Sequence, residues 1–352
     1  MTICYLANAL SIHTQRWAIH FANRGYDIHV ISFRPGAIPG VQVHSVPPPV
    51  PIKQIGYLLV LPQINRLLKH IRPDILHAHY ATSYGLLGAL SRYRPLVITA
   101  WGSDVLIAPK RSKLSRAAVL FALQRADLVT SMAHHMTRTL VELGVPQNKI
   151  VTLPFGVDTT IFHSRLSAQE QRRIDIVCTR NFRPVYNVEL VIRALSQVAV
   201  SYPGVRCVLV GDGPLRSKLE KLGCKLGVKS NIGWEGQVSP PKVAWWLSQS
   251  KVFVTPAFSD GNNVSLNEAM ACGCFPIGSD IPANREWLVD GENGFLVPPD
   301  RPDVLAQRIL QALESNDLRL RAAERNWQIV QERADWHKNM TGMEQYYQWL
   351  VS

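Results

Sequence analysis

The stretch Thr255-Pro-Ala-Phe-Ser-Asp-Gly-Asn-Asn-Val-Ser-Leu-Asn-Glu-Ala-Met-Ala-Cys-Gly273 joins an apolar run to a helical pattern through a polar loop. The run Val252–Thr255 reads as a buried strand, Ser259–Asn263 as the loop, and Ser265–Ala271 as a helix. Asp260 lies in the loop, and Glu268 sits about one turn into the helix. A carboxylate one turn into a helix can accept both hydroxyls of a ribose. Amides at the helix start can receive a diphosphate. The loop acid can bind hydroxyls of a sugar. Ser265 and Glu268 also fit a capping box, Ser-x-x-Glu, with Ser265 as N-cap. The two readings are compatible, but capping alone does not call for Asp260-Gly-Asn-Asn263 ahead of it.

The same strand–loop–helix alternation extends in both directions. Toward the C-terminus, strands are expected at Phe275–Gly278 and Gly294–Val297, then long helices over Pro302–Leu350. Toward the N-terminus, Ile174–Thr179 and Arg206–Val210 read as strands, with helices at Val188–Val200 and Leu215–Leu226. Pro154–Arg173 breaks the pattern with turn residues and charges. Before it lies a first series: strands at Thr2–Ala7, Asp27–Phe33, Ile75–Ala78, Leu96–Ala100, Leu128–Ser131 and Ile150–Leu153, with helices between. Pro35–Pro51 reads as a loop, and the helix Gly56–Ile71 must kink or restart at Pro62. Such alternation implies mostly parallel sheets covered on both faces. The expectation is an α/β protein of two Rossmann-like, doubly wound domains facing each other across a cleft. Residues 1–160 form the first domain, 174–335 the second, and 336–352 a helix able to cross back to the first. Ligands are expected at the carboxyl ends of the strands.

The chain has 352 residues, 47% hydrophobic and 18% charged, a globular balance with apolar material for two cores. Met1–Leu10 carries no leading positive charge and reads as a strand rather than a signal peptide. No run approaches the roughly eighteen apolar residues of a membrane span. Of the six cysteines, Cys272 and Cys274 are the nearest to half a metal site, but nothing nearby completes it. Core packing in a reducing, cytoplasmic setting is the expectation, with no metal and no cofactor. Charge is uneven: residues 1–170 hold 17 Lys/Arg against 7 Asp/Glu, and residues 171–352 hold 21 against 19. The net +12 is therefore almost all in the first half. Clusters stand at Arg66, Lys69 and Arg72, at Arg92 and Arg94, and at Lys110, Arg111, Lys113 and Arg116. Such a field suits an acidic membrane surface, a phosphorylated acceptor or nucleic acid. Any single cluster reads equally well as a solvated face. No recognition helix or stacking motif supports nucleic acid.

Val210-Gly-Asp-Gly-Pro214 follows a strand and opens a helix; its glycines either let a ligand approach the backbone or simply make a tight turn, for which Gly-Asp-Gly is common. With the acid-x7-Glu segment, it resembles the retaining glycosyltransferases of family 4, which have the GT-B fold. The resemblance extends through Arg16-Trp17, His77-Ala-His79, Thr99-Ala-Trp-Gly-Ser-Asp104, Pro154-Phe-Gly-Val-Asp158, Arg180 and Gly291-Glu-Asn-Gly-Phe-Leu296. It implies a nucleotide-sugar donor, with Glu268 on the ribose and Asp260 on the donor sugar. Asn262, Asn263, Val264, Ser265 and Leu266 would cradle the diphosphate, Gly211 and Gly213 would admit the donor, and Arg180 would face the leaving group. It also implies a glycan or lipid-linked acceptor, and the basic half suggests an anionic membrane surface at the inner face of the cell membrane.

Three positions depart from the family pattern. Asp260 is shorter than the glutamate of many members. The lysine usual about six residues after Arg180 is replaced by Tyr186 and Asn187; Arg183 is a candidate substitute, and without one the stabilisation of the leaving group weakens. Trp101 stands where many members carry histidine. His13, His77 and His79 are candidates for that space, with a structural role in a strand or loop as the alternative for each, and Asp104 either orients acceptor hydroxyls or N-caps the following segment. His134 and His135 read as surface residues, and the tryptophans at 245, 246, 327, 336 and 349 as packing. Tyr346, Tyr347 and Trp349 are candidates for bracing the first domain. The departures keep open a catalytically impaired nucleotide-sugar-binding protein, and the fold keeps open a nucleotide-sugar epimerase or hydrolase.

Overall fold

The computed structural model describes residues 1–50, 53–163 and 172–352. These divide into two compact units: Met1–Pro154 with Met340–Ser352, and Phe155–Asn339. The break thus falls at the start of the Pro154–Arg173 interruption, of which residues 164–171 lie outside the described residues.

Among the described residues, unit 1 is built on seven parallel strands: β1 (Thr2–Leu6), β2 (Asp27–Ser32), β3 (Gln42–Ser45), β4 (Ile75–His79), β5 (Leu96–Ala100), β6 (Leu128–Ser131) and β7 (Ile150–Thr152). Their order is β3-β2-β1-β4-β5-β6-β7, and Ile3 of β1 pairs with Ile28 on one side and Ile75 on the other. Helices cover both faces, which is why the central strands are nearly continuous apolar runs. Chain order reverses between β1 and β4, the place where doubly wound sheets open a crevice at their carboxyl ends.

Strand β3 corrects the expectation of an unbroken loop from Pro35; Pro51 itself lies outside the described residues. As an edge strand it has no fully buried residue, so it carries no apolar run to betray it. Pro62 does restart the helix: Lys53–Leu59 ends, and Leu61–Ile71 begins with the proline in its first turn, where no amide hydrogen is needed. His135 is buried whereas His134 is exposed, correcting the surface reading of the pair. Neighbours on a helix point about 100° apart, and the His134–Glu142 helix turns the second one inward.

The helix Trp336–Val351 ends in unit 1. Glu344 accepts from Arg24 Nη2 at 2.6 Å and from the Tyr26 hydroxyl at 2.7 Å. The buried Tyr347 hydroxyl meets His77 Nδ1 at 2.5 Å, and His77 Nε2 meets Thr99 Oγ1 at 2.6 Å. His77 is therefore committed to holding this helix. Trp349 is exposed, as is Trp245, so packing does not account for those two.

Unit 2 repeats the architecture with six parallel strands among the described residues: β8 (Ile174–Cys178), β9 (Cys207–Val210), β10 (Ile232–Gly236), β11 (Ser250–Thr255), β12 (Phe275–Ser279) and β13 (Phe295–Val297). The order is β10-β9-β8-β11-β12-β13, so the reversal lies between β8 and β11, where Val252 pairs with Ile176. Phe275 and Phe295 meet edge to face in its core, and Cys272 and Cys274 are buried among apolar neighbours. Among the described residues no helix is long and apolar enough to cross a membrane.

Candidate active site

The reversal between β8 and β11 collects the polar residues of unit 2. Arg180 follows β8, the loop Pro256–Asn263 follows β11, and the helix Val264–Ala271 closes the loop. Arg180 is only 6% exposed, which rules out a surface role. Its Nη2 donates to Asp260 Oδ2 at 2.5 Å and its Nη1 to Asn263 Oδ1 at 2.8 Å, with Ser265 Oγ at 3.5 Å. Its guanidinium carbon lies 4.1 Å from the centre of the Tyr186 ring. Tyr186, at the position where the family usually has a lysine, thus stacks on the arginine and adds no charge. Burial opposes the Arg180 charge, but Asp260 and Tyr186 more than offset it and raise its pKa. Arg183 is exposed at the head of the Pro184–Tyr186 turn.

The helix cap is Asn263, not Ser265: Asn263 Oδ1 accepts from the Leu266 amide at 3.2 Å. Both side chains suit an N-cap locally. Tertiary bonds select the asparagine, whose Nδ2 donates to Thr255 Oγ1 at 3.0 Å and Asn284 Oδ1 at 2.9 Å. Ser265 is left facing Arg180. Val264 N donates to Asn262 O at 2.9 Å, so that amide is taken, whereas the Ser265 amide has no partner among the described residues.

Glu268 lines a cavity of about 170 Å³ with Thr179, Asn181, Gly211, Gly236 and Gln237, at the carboxyl ends of β8, β9 and β10. Thr179 Oγ1, Arg180 Nε and Asn262 Oδ1 are buried with no partner among the described residues. Each such orphan costs about 1–3 kcal/mol, so three at one strand reversal make it the candidate ligand site. Thr179, Asn181 and the Gly236–Gln237 turn escape sequence reading because each is an ordinary residue at a strand end.

Gly211 and Gly213 have φ of +152° and +156°. A Cβ on Gly211 would lie 2.5 Å from the Arg180 carbonyl oxygen, and one on Gly213 2.7 Å from that of Phe182. The glycines therefore let β9's loop press against the chain that carries Arg180. Gly211→Ala is expected to lose about 2 kcal/mol or more, a fall in melting temperature of roughly 5 °C, and to weaken nucleotide binding. Calorimetric melting with and without a nucleoside diphosphate checks both.

In unit 1, His13, His79 and Trp101 cluster where β1, β4 and β5 end: Trp101 lies 5.2 Å from His13 and 5.3 Å from His79 between ring centres. Burial lowers the pKa of His13 to about 4 and of His79 to about 3, with Arg16 adding to the first and His13 to the second. Both rings are neutral at physiological pH. Asp104 is buried and serves its own loop and the one before it, accepting from the amides of Ala81, Trp101 and Gly102 at 2.8, 3.0 and 2.9 Å. Its oxygens are thereby committed to backbone.

Two family models match in tandem, the glycosyl transferase 4-like domain over residues 2–133 and the glycosyl transferases group 1 domain over residues 161–328. The phosphatidyl-myo-inositol mannosyltransferase of Mycobacterium tuberculosis is 31% identical over 287 residues, covering 78% of this chain and 73% of that protein. The chain belongs to the group 1 glycosyltransferases of family 4. The N-acetyl-alpha-D-glucosaminyl L-malate synthase of Bacillus anthracis is 25% identical, covering 93% of this glycosyltransferase and 90% of its own length. Among solved structures, Anabaena HepE in complex with UDP and glucose superposes with a TM-score of 0.82 at 18% identity, over 99% of this chain and 100% of that one. Sucrose-phosphate synthase from Thermosynechococcus elongatus gives 0.85 at 18%, over 99% of each. The enzyme thus has the GT-B fold of two Rossmann-like domains.

Proposed function

We propose that this glycosyltransferase moves a sugar from a uridine diphosphate donor to a glycan or lipid-linked acceptor, with retention of anomeric configuration and without a metal. Supporting this reading above all is the convergence of Arg180, Asp260, Asn263 and Ser265 beside the cavity that Glu268 lines. Solved relatives crystallised with UDP and UDP-glucose suggest the nucleotide. Glu268 takes the ribose hydroxyls, the Ser265 amide and Arg180 take the diphosphate, and Asp260 exchanges its bond to Arg180 for hydroxyls of the donor sugar.

In the reaction the bond from the anomeric carbon to the phosphate oxygen breaks as the acceptor oxygen attacks from the same face. The acceptor's proton passes to the departing phosphate, and UDP leaves. Positive charge develops on the sugar ring and negative charge on the phosphate, which Arg180 and the helix start stabilise. Product analysis with a panel of uridine diphosphate sugars and lipid-extract acceptors tests this. A glycosylated product of unchanged anomeric configuration is expected, and a trapped glycosyl–enzyme adduct would overturn same-face attack. The occupied guanidinium of Arg180 and the missing lysine favour one competing reading, an impaired enzyme that only binds donor. UDP binding with background turnover in every extract would establish that reading instead.

The acceptor side is proposed to work at the inner face of the cell membrane. Lys110, Arg111, Lys113 and Arg116 are all exposed in unit 1, and Leu114 among them is 80% exposed. An apolar side chain ringed by cations suits an anionic lipid surface, each cation contributing about 1 kcal/mol near it. Flotation should recover the protein with phosphatidylglycerol-rich vesicles and not with neutral ones, and the quadruple Lys/Arg→Gln variant should lose the difference. Equal recovery with both vesicles would remove the electrostatic argument.

A further inference from the structure

At the amino ends of its strands, unit 1 holds a second polar cavity. The helices Gly85–Ser91 and Lys113–Arg125 pack against one another, and their C-terminal ends share a cavity of about 340 Å³ with the first residue of β5. It is lined by Ala89, Arg92, Tyr93, Arg94, Leu96 and Arg125, with no acid among them. Arg92 ends the first helix with φ +61°, a place where glycine or asparagine is usual. The turn is pinned on both sides of it. Ser91 Oγ donates to the Gly88 carbonyl at 2.7 Å and accepts from the Tyr93 amide at 3.2 Å, and the Tyr93 hydroxyl donates to the Pro73 carbonyl at 2.6 Å.

Helix C-terminal ends attract cations, which alone would account for one arginine at each. The second helix has that need met elsewhere, because Lys149 Nζ donates to the Ala126 carbonyl at 3.1 Å. Arg125 lays its guanidinium over the Phe121 ring at 4.7 Å, which occupies a flat face and leaves N–H edges. Arg94 pairs with Asp127, whose other oxygen accepts from the Leu96 amide at 2.8 Å. Arg92 and Arg125 have no carboxylate partner among the described residues. Arg72 and Asp74, opposite charges that both act on Tyr93, cancel. Three guanidiniums against the one carboxylate of Asp127 leave a local excess of two positive charges.

Arginine forks take phosphate oxygens two at a time, and here all three cations of the lining are arginines. A compact oxyanion that enters the cavity meets forks from more than one side. A flat lipid surface meets protruding side chains instead, and no exposed large apolar side chain lines this cavity as a counterpart to Leu114. Leu114 stands near the other end of the same helix, roughly 16 Å away along its axis.

We propose that Arg92, Arg94 and Arg125 form a binding site for a small soluble phosphate compound, of the inorganic diphosphate or phosphate-monoester class. The site lies at the opposite end of the unit 1 sheet from the loops that carry His79 and Trp101, and it does not depend on the transferase reading.

Isothermal titration of the full-length chain with inorganic pyrophosphate tests it. The wild type should show a binding component that weakens about tenfold or more in Arg92→Gln/Arg125→Gln, as loss of two charge-assisted forks predicts. Both side chains are exposed, and UDP affinity, read in parallel, should be equal in the two proteins and so report that the variant is folded. Pyrophosphate isotherms that superimpose for wild type and double variant, or no pyrophosphate binding in the wild type, would overturn the site. Arg92→Lys/Arg125→Lys keeps the charge and should still lose at least threefold; binding equal to wild type would show a diffuse basic face and not a site of arginine forks. Flotation with phosphatidic acid vesicles separates the sources of phosphate. The glutamine variant should be recovered as well as the wild type, and a loss of recovery would assign the arginines to a lipid headgroup and overturn the soluble ligand.

Discussion

Replacing Glu268 with alanine is expected to weaken UDP binding by about a hundredfold or more. A carboxylate that accepts two ribose hydroxyls makes two charge-assisted hydrogen bonds, each worth about 1.5–3 kcal/mol, and 1.4 kcal/mol is a factor of ten. Glu268 reaches the cavity from the second turn of the Val264–Ala271 helix, so truncation leaves the cap at Asn263 and the Arg180 contacts in place. Glu268→Gln keeps the volume and should recover only part of the affinity. The contrast with Asp260→Ala sharpens the test. Removing Asp260 releases Arg180 Nη2 from its 2.5 Å bond. UDP alone should then bind at least as well as in the wild type, because the freed guanidinium meets the diphosphate, while turnover of the intact donor falls. Isothermal titration of both variants with UDP decides the matter. Equal affinities in Glu268→Ala and wild type would refute the ribose assignment, and a loss in Asp260→Ala as large as that in Glu268→Ala would refute the division of labour between the two acids.

That Asp260 and Glu268 could be singled out at all reflects how local their signal is. A strand end, a Gly-Asn-Asn loop and a helix start lie within one short stretch, and each is set by residues a few positions apart. The parallel architecture was equally legible, since buried strands advertise themselves as apolar runs. What stayed hidden was settled by residues distant in sequence. The choice of Asn263 over Ser265 as cap depends on Thr255 and Asn284. The engagement of Arg180 with Asp260 spans 80 positions. Strand β3 has a polar composition because an edge needs no second apolar face. Tyr80 adopts a positive φ just before the Ala81 amide that Asp104 binds from 23 positions away, and no residue type at position 80 signals it. His135 was misread for the opposite reason, a polar side chain turned inward by a helix whose apolar neighbours, Met136 and Leu140, carry the burial.

Arg180→Lys is expected to lower kcat by about a hundredfold or more, although the charge is kept. A guanidinium donates in a fixed fork and stacks on a ring; an ammonium is a point charge on a flexible stem. Arg180 uses the fork for Asp260 and Asn263 and the flat face for Tyr186, and no lysine conformer serves all three. Loss of one organised donor to developing negative charge costs about 3–4 kcal/mol in comparable sites, and here no lysine at position 186 shares the load. Arg180→Met goes further, since it leaves the part-buried Asp260 carboxylate without its partner and so costs stability as well. The lysine variant should therefore be the more stable of the two yet nearly as slow. Melting curves and donor turnover measured on the same preparations separate the two effects. If Arg180→Lys keeps turnover within about threefold of wild type, the guanidinium's shape is irrelevant and leaving-group stabilisation must come from elsewhere in unit 2. Tyr186→Lys, made on the wild-type background, would then be the informative companion. Lysine at that position gives up the stacking of the Tyr186 ring on Arg180 and gains a charge, so a rise in turnover would show that the missing charge, not the arginine's geometry, limits the reaction.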